Sequence, residues 1–171
     1  MSIYFSKYLL SGDRMMNLEL TILGNLVTKA IPSISRAKAD KFLESFMLRV
    51  KEINKNSKYL YRVSRIELFG SYITDAELVN DIDIGYQLVR KGTNKDKWRE
   101  KDRQRVRIAK NAGVNFNSFI DELFHTKRIV QKYLKSRSPY ISLHDIDDDG
   151  IFEIIETRQV FHSKKTLKTY R

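Results

Sequence analysis

Two carboxylates separated by a single apolar residue are the first feature of this sequence with clear chemical potential. They are Asp81 and Asp83, in the stretch Asp81-Ile82-Asp83-Ile84. Side chains alternate between the two faces of a β-strand, so a strand here turns both carboxylates to one face and Ile82 and Ile84 to the other. Two like charges this close repel each other unless solvent or a hard cation separates them. The pair therefore predicts a Mg²⁺ site.

A phosphate-binding turn is predicted nine residues before this pair, at Gly70-Ser71. The dipeptide ends a predicted strand over residues 62–69, where the backbone N–H groups that start the next turn are unpaired. Such N–H groups donate hydrogen bonds to phosphate oxygens, and the Ser71 hydroxyl adds a further donor. Gly70 has no side chain to keep a phosphate away from the backbone.

Together these residues resemble the signature of the DNA polymerase β-type nucleotidyltransferase superfamily, in particular its small, uncharacterised bacterial members. The resemblance rests on Gly70-Ser71, the nine-residue gap and Asp81-x-Asp83 between apolar neighbours, and it covers residues 63–162. It implies that Gly70 and Ser71 hold the triphosphate of an NTP, and that Asp81 and Asp83 are catalytic and bind Mg²⁺. It also implies a third carboxylate, on a later strand, that completes the metal site.

The later strand on which the resemblance would place this third group is the one predicted over residues 140–146. Three alternatives are open for it. Ile141 and Leu143 place Asp145 on their own side, so Asp145 reaches the cleft only if a bulge or the strand end rotates it. His144, on the opposite side, is the second alternative, and an imidazole there favours Mn²⁺ over Mg²⁺. The third alternative is that no such group exists, which predicts a module that binds nucleotides without turnover.

A strongly basic segment, residues 90–110, follows the predicted metal strand. It has ten Lys or Arg residues and three acidic residues, a net charge of +7, within a chain whose formal charge is +11. Dense positive charge favours polyanionic partners, with RNA first among them. The residues predicted to contact nucleic acid are Arg99, Arg103, Arg105 and Arg107.

The composition limits the class of protein. The 171 residues fit one domain, and 42% apolar with 11% aromatic side chains suffice for a hydrophobic core. The absence of Cys excludes disulfides, thiolate metal sites and a Cys nucleophile. No apolar run approaches the roughly 20 residues that span a bilayer, and the N-terminus lacks a signal-peptide pattern. We therefore expect a cytoplasmic protein without membrane contact.

The elements that must position these residues follow from the hydrophobic periodicity. It predicts an α/β (α+β) fold, in which a small mixed sheet is backed by helices. The expected organisation is an N-terminal helical extension over residues 1–58, a nucleotidyltransferase-like core over 59–163 and a basic tail over 164–171. Within the core we expect strands near 62–69, 81–86, 140–146 and 159–162 and helices over 98–111 and 116–137, the latter capped by Asn115 or Asn117.

These features and the resemblance predict an enzyme that transfers a nucleoside monophosphate from an NTP to an acceptor hydroxyl and releases pyrophosphate. The charge favours RNA as the acceptor. Two other functions stay open: a degenerate nucleotide- or nucleic-acid-binding module, and an interaction protein whose N-terminal helices bind a partner. Partner binding of that kind occurs in toxin–antitoxin pairs that resemble this superfamily.

Overall fold

The structure, a computed structural model, describes residues 32–147 and 150–163. Its strands are β1 (Ile34–Ser35), β2 (Tyr61–Phe69), β3 (Leu78–Val79), β4 (Ile82–Arg90), β5 (Ile141–Asp145) and β6 (Arg158–His162). Four of them form one sheet in the order β5-β4-β2-β6, while β1 pairs with β3. Strand β2 runs antiparallel to β4 and β6, and β4 runs parallel to β5, so the sheet is mixed.

The helices of the described residues are α1 (Arg36–Lys55), α2 (Lys95–Asn111), α3 (Phe119–Leu123) and α4 (His125–Lys135). The predicted fold class, a small mixed sheet with helices, is confirmed. No helix in the described part of the chain combines the length and the apolar composition needed to cross a membrane.

Helices α1 and α4 pack on one face of the sheet, against β2 and β5. The alternation in β4 explains this arrangement, because Ile82 and Ile84 are fully buried and belong to the same apolar core as Phe46 and Val50 of α1 and Val130 of α4. The opposite face of β4 is left for polar side chains.

The three predicted segments are described to different extents. Residues 1–31 of the predicted extension 1–58 and the whole predicted tail 164–171 lie outside the described residues. The described part of the extension is mainly α1, which shares its apolar core with the strands through Phe46, Val50 and Ile53.

The single helix predicted over residues 116–137 is wrong in its extent. Ser118, and not Asn115 or Asn117, is the N-cap, because its backbone is extended and its hydroxyl accepts a hydrogen bond from the Asp121 N–H. Helix α3 ends at Leu123 with Phe124 as its C-cap, and α4 begins at His125. Both pieces keep apolar residues at helical spacing, so periodicity alone did not show the break.

Candidate nucleotide and metal site at the start of strand β4

Asp83 lies on the face of β4 that helices α1 and α4 do not cover, and Asp81 immediately precedes the strand. Ile82 and Ile84, which alternate with them, are fully buried on the other face. Burial raises the pKa of Asp83, the charge of Asp81 raises it further, and His144 opposes both effects. The site therefore disfavours its own negative charge, and a bound cation would remove that cost.

Gly70 stands in direct contact with the Asp83 carboxylate. It begins a 3₁₀ turn over Gly70–Ile73 immediately after β2, with a left-handed φ of +68°. A Cβ built on Gly70 would overlap Asp83 Oδ2 and lie 3.3 Å from Asp83 Cγ, so a side chain has no room here. The contact exists because β2 and β4 pair with Phe69 opposite Asp83. Gly70-Ser71 and the carboxylate pair, which are separated by nine residues in sequence, thus form one site. Ser71 is partly exposed beside the carboxylates.

Strand β5 adds two polar side chains to this face. Its parallel register sets Ser142 opposite Asp83 and His144 opposite Gly85. The Ser142 hydroxyl donates a 2.9 Å hydrogen bond to Asp81 Oδ2, and His144 Nε2 lies 3.6 Å from Asp83 Oδ1. Ser142 therefore occupies the place nearest the pair, and His144 lies next to it. Ser142 lies on the same side of β5 as His144, two residues away, and was not among the predicted site residues.

Asp145 points to the opposite face of the sheet. Its Oδ2 lies 2.7 Å from Lys127 Nζ of α4, and only 10% of its side chain is exposed. The register places Asp145 opposite Tyr86. Burial raises the pKa of Tyr86 to about 12, and the charge of Asp145 contributes to this increase. Of the predicted third groups, the structure brings His144 to the carboxylate pair and does not bring Asp145.

The oxygen atoms at this site match what Mg²⁺ binds. Mg²⁺ is usually held by one or two protein carboxylates, with the phosphates of the substrate and water completing the coordination. Among the described residues there is no cluster of three or more His, Asp and Glu side chains that could hold a metal ion by itself. A Mg²⁺ ion at Asp81 and Asp83 would therefore need further oxygen ligands from a substrate or from water.

An aromatic cluster borders the carboxylates. The Phe69 ring packs edge-on against His144 at 5.1 Å and against Phe152 at 5.3 Å between ring centroids. Phe152 lies directly over Gly85, where a Cβ would come within 2.6 Å of Phe152 Cζ. The cluster was not predicted, although a glycine inside a strand is a known signal of such a close approach.

Arg36 holds the loop that connects the phosphate turn to the carboxylates. Its guanidinium donates hydrogen bonds to three carbonyl oxygens, those of Tyr72 at 3.0 Å, of Ala76 at 3.1 Å from Nε, and of Thr74. The Tyr72 hydroxyl donates a hydrogen bond to Asp40, which lies in α1 as Arg36 does. Burial together with this bond raises the pKa of Tyr72 to about 12. Helix α1 thereby fixes a loop that contains no glycine. No sequence motif signals Arg36, since its partners are backbone atoms.

The predicted nucleic-acid residues lie away from this site. Helix α2 follows the far end of β4, and Arg90 at that end is seven residues from Asp83, roughly 24 Å along an extended strand. Arg99, Arg103 and Arg107 line one cavity, whereas Arg105 lines a different, smaller one on the other side of α2. The structure therefore groups three of the four arginines and separates them from the carboxylates.

Comparison with known proteins does not identify this chain. No family model, no curated protein and no solved structure gives a significant match to it. The resemblance to nucleotidyltransferases therefore rests on the sequence motif alone.

Proposed function

We propose that this protein transfers a nucleoside monophosphate from an NTP to an acceptor hydroxyl at the cleft formed by Gly70, Ser71, Asp81 and Asp83, as a member of the DNA polymerase β-type nucleotidyltransferases. The observation that carries the proposal is the contact between Gly70 and the Asp83 carboxylate. A phosphate bound at the turn is thereby held next to the groups that would bind its cation. Repulsion between two carboxylates explains why such a site needs that cation.

The roles of the side chains follow from their places in the cleft. Asp81 and Asp83 hold Mg²⁺, which when bound lowers the pKa of the acceptor hydroxyl and stabilises charge on the phosphates. Ser71 and the neighbouring N–H groups bind the β- and γ-phosphates. The acceptor oxygen bonds to the α-phosphorus as the bond to pyrophosphate breaks, and the hydroxyl proton passes to water. Ser142 orients Asp81 through its hydrogen bond.

RNA is the acceptor that the charge favours, because the chain carries a formal charge of +11. We place the activity in the cytoplasm, where NTPs and RNA are both available. A protein partner bound through the N-terminal helices is a separate prediction, and most of that segment lies outside the described residues.

A second candidate function is a nucleotide-binding module without turnover. The observation in its favour is the ion pair of Asp145 with Lys127, which commits the one nearby carboxylate of β5 to the opposite face. Ser142 and His144 stand on the cleft side instead. Neither supplies the negative charge that a third carboxylate would bring to a second cation.

One experiment separates the two functions. The purified protein is incubated with each α-³²P-labelled NTP, with Mg²⁺ or Mn²⁺ and total RNA, and the label in macromolecules is measured. Transfer by the wild type and its loss in Asp81→Asn and Asp83→Asn support the enzyme, with Asp75→Asn, an exposed loop carboxylate, as the matched control. Nucleotide binding without label transfer under either metal identifies the binding module. Undiminished Mg²⁺-NTP affinity in both cleft variants rules out the assigned site.

A further inference from the structure

A cavity of about 720 Å³ lies between helices α2 and α3, at the end of β4 remote from the carboxylates. We call it the α2–α3 groove. One wall is the side of α2 that carries Arg99, Arg103 and Arg107, and the other wall is α3, with Phe119 and Leu123. The proposed transferase site contains none of these residues.

The α2 wall of the groove is a row of arginines. Arg99, Arg103 and Arg107 follow one another at four-residue spacing, which places them on one side of the helix at intervals of about 6 Å. Among the described residues, no carboxylate forms an ion pair with Arg103 or Arg107, and Arg99 has only an exposed contact of 3.8 Å with Asp96. The row is therefore available to an anionic ligand.

The acids in the same groove are already engaged. Asp102 accepts a 2.5 Å hydrogen bond from the Thr126 hydroxyl, and Glu122 lies 2.6 Å from Lys110 Nζ. Asp102 keeps its negative charge, because the Thr126 hydroxyl is neutral, but five cationic and only two acidic side chains line the groove. The net charge of the lining is therefore +3, and the wall of the groove stays electropositive. Such a wall attracts a chain of phosphates, and guanidinium groups bind phosphate oxygens in pairs.

The opposite wall is apolar and open. Phe119 is 75% exposed and Leu123 is 49% exposed, which is unusual for two large apolar residues one helical turn apart. Between the walls Trp98 is buried, its ring covered by the Arg90 guanidinium at 4.6 Å and its indole N–H bonded to Leu60 O. Trp98 therefore forms a packed floor of the groove, and Phe119 is the exposed aromatic surface.

We propose that the α2–α3 groove binds single-stranded nucleic acid, with the phosphates on the arginine row and bases against Phe119 and Leu123. A cationic row beside an exposed aromatic ring is the arrangement that binds single strands without sequence preference. The cavity volume is in the range of a site for one small ligand, which suits a nucleotide or two and not a duplex. The bases of a duplex are also stacked inside it and cannot reach an apolar wall.

An acidic protein helix fits the groove less well. Such a helix binds through apolar residues at i, i+3, i+4 and i+7, which need a long apolar surface on the partner. Helix α3 is only five residues long and presents two apolar side chains to the groove. The groove has positive charge along α2 and an apolar surface at one place only. Single-stranded nucleic acid with one base inserted against that surface requires this arrangement.

This inference goes beyond the proposed transfer reaction and does not depend on it. Arg90 beside the groove and Asp83 in the cleft are roughly 24 Å apart along β4. By strand alternation they also face opposite sides of the sheet. A bound strand is therefore anchored away from the carboxylates, whether or not the cleft transfers nucleotides.

Fluorescence anisotropy with fluorescein-labelled octamers of rU and dT tests the proposal, from 50 to 300 mM salt. The groove variant is Arg103→Ala/Arg107→Ala. Its control is Lys97→Ala/Lys101→Ala, which removes the same charge from two exposed residues on the other side of the same helix. The groove variant is expected to flatten the slope of log K against log salt by about 1.4, at about 0.7 per phosphate contact, and the control to leave the slope unchanged. Phe119→Ala should weaken binding by about tenfold at an unchanged slope, since base stacking contributes about 1–3 kcal/mol.

Binding of rU and dT alike supports backbone and stacking recognition, and a preference for rU supports RNA as the source of the strand. Equal losses in the groove variant and its control overturn the proposal, because they indicate diffuse surface charge. Tighter binding of a duplex overturns it as well, and competition by poly-glutamate at equal charge points to an acidic protein instead. Asp83→Asn should retain octamer binding, so a failed transfer reaction and a failed groove give different results.

Discussion

Replacing Gly70 by alanine is expected to test the geometry of the cleft most directly. A non-glycine residue in the left-handed region costs about 1–2 kcal/mol, and Gly70 has a φ of +68°. The new Cβ would also overlap Asp83 Oδ2, so the carboxylate must rotate out of its place. A displaced rotamer costs about 0.5–1.5 kcal/mol. We therefore expect Gly70→Ala to destabilise the protein by about 2–3 kcal/mol, which lowers the Tm by roughly 4–12 °C for a chain of this size.

Two other glycines isolate the part of this cost that belongs to the cleft. Gly92 and Gly113 have φ values of +88° and +82°, and a Cβ on either would meet no atom within 4 Å. Gly92→Ala and Gly113→Ala thus carry the backbone strain without the overlap. Urea unfolding of these variants, of Asp83→Ala and of Gly70→Ala/Asp83→Ala completes a double-mutant cycle. We expect a coupling energy of about 1 kcal/mol between Gly70 and Asp83.

The same variants connect stability to ligand binding. Calorimetry should show that Gly70→Ala loses Mg²⁺-NTP affinity, because the Asp83 carboxylate has moved, while Gly92→Ala keeps it. If Gly70→Ala costs no more than the two control substitutions, or if the coupling energy is zero, the contact between the turn and the carboxylate is not as described. Gly70-Ser71 and the carboxylate pair then do not form one site.

Three further predictions concern residues at or beside the cleft. Asp83→Asn should stabilise the nucleotide-free protein by about 0.5–1 kcal/mol at pH 7, the Coulomb energy of two solvent-screened charges about 7 Å apart. Because the folded-state pKa of Asp83 is raised above 3.8, this gain should vanish in urea titrations as the pH falls below that value; a loss of stability at pH 7 contradicts it. Arg36→Ala should cost about 2 kcal/mol in thermal unfolding and weaken NTP binding, with Arg36→Lys recovering little because one ammonium cannot span three carbonyls. An equal effect of Lys41→Ala, an exposed cation of the same helix, refutes that role. His144→Ala should lower labelled-NTP transfer about tenfold, more with Mn²⁺ than with Mg²⁺, whereas Asp145→Asn should lower stability rather than transfer; the reverse pattern assigns the third group to Asp145.

The local features of this protein could be predicted from the amino-acid sequence alone. A period of two in Asp81-Ile82-Asp83-Ile84 predicts a strand with both carboxylates on one face, because side-chain alternation is a property of the extended backbone. Strand β4 begins at Ile82 and keeps the alternation at Ile82, Asp83 and Ile84, while Asp81 lies just before the strand. The apolar parity of Ile141 and Leu143 likewise placed Asp145 on their side, where the structure has it. The positive charge of residues 90–110 is also a matter of composition alone.

Which of these features come into contact depends on the strand pairing and packing of the folded chain, and could not be predicted from the sequence. Gly70 touches Asp83 because β2 and β4 pair in one particular register, and Ser142 reaches Asp81 because β5 lies parallel beside β4. Register is set by packing over the whole sheet, so a local pattern does not reveal it. The basic helix α2 directly follows β4 in sequence, yet the length of β4 places α2 at the end of the strand remote from the carboxylates, where Phe119 provides the other wall of a groove. Arg36 binds carbonyl oxygens that every residue possesses, so its role became visible only once the chain was folded.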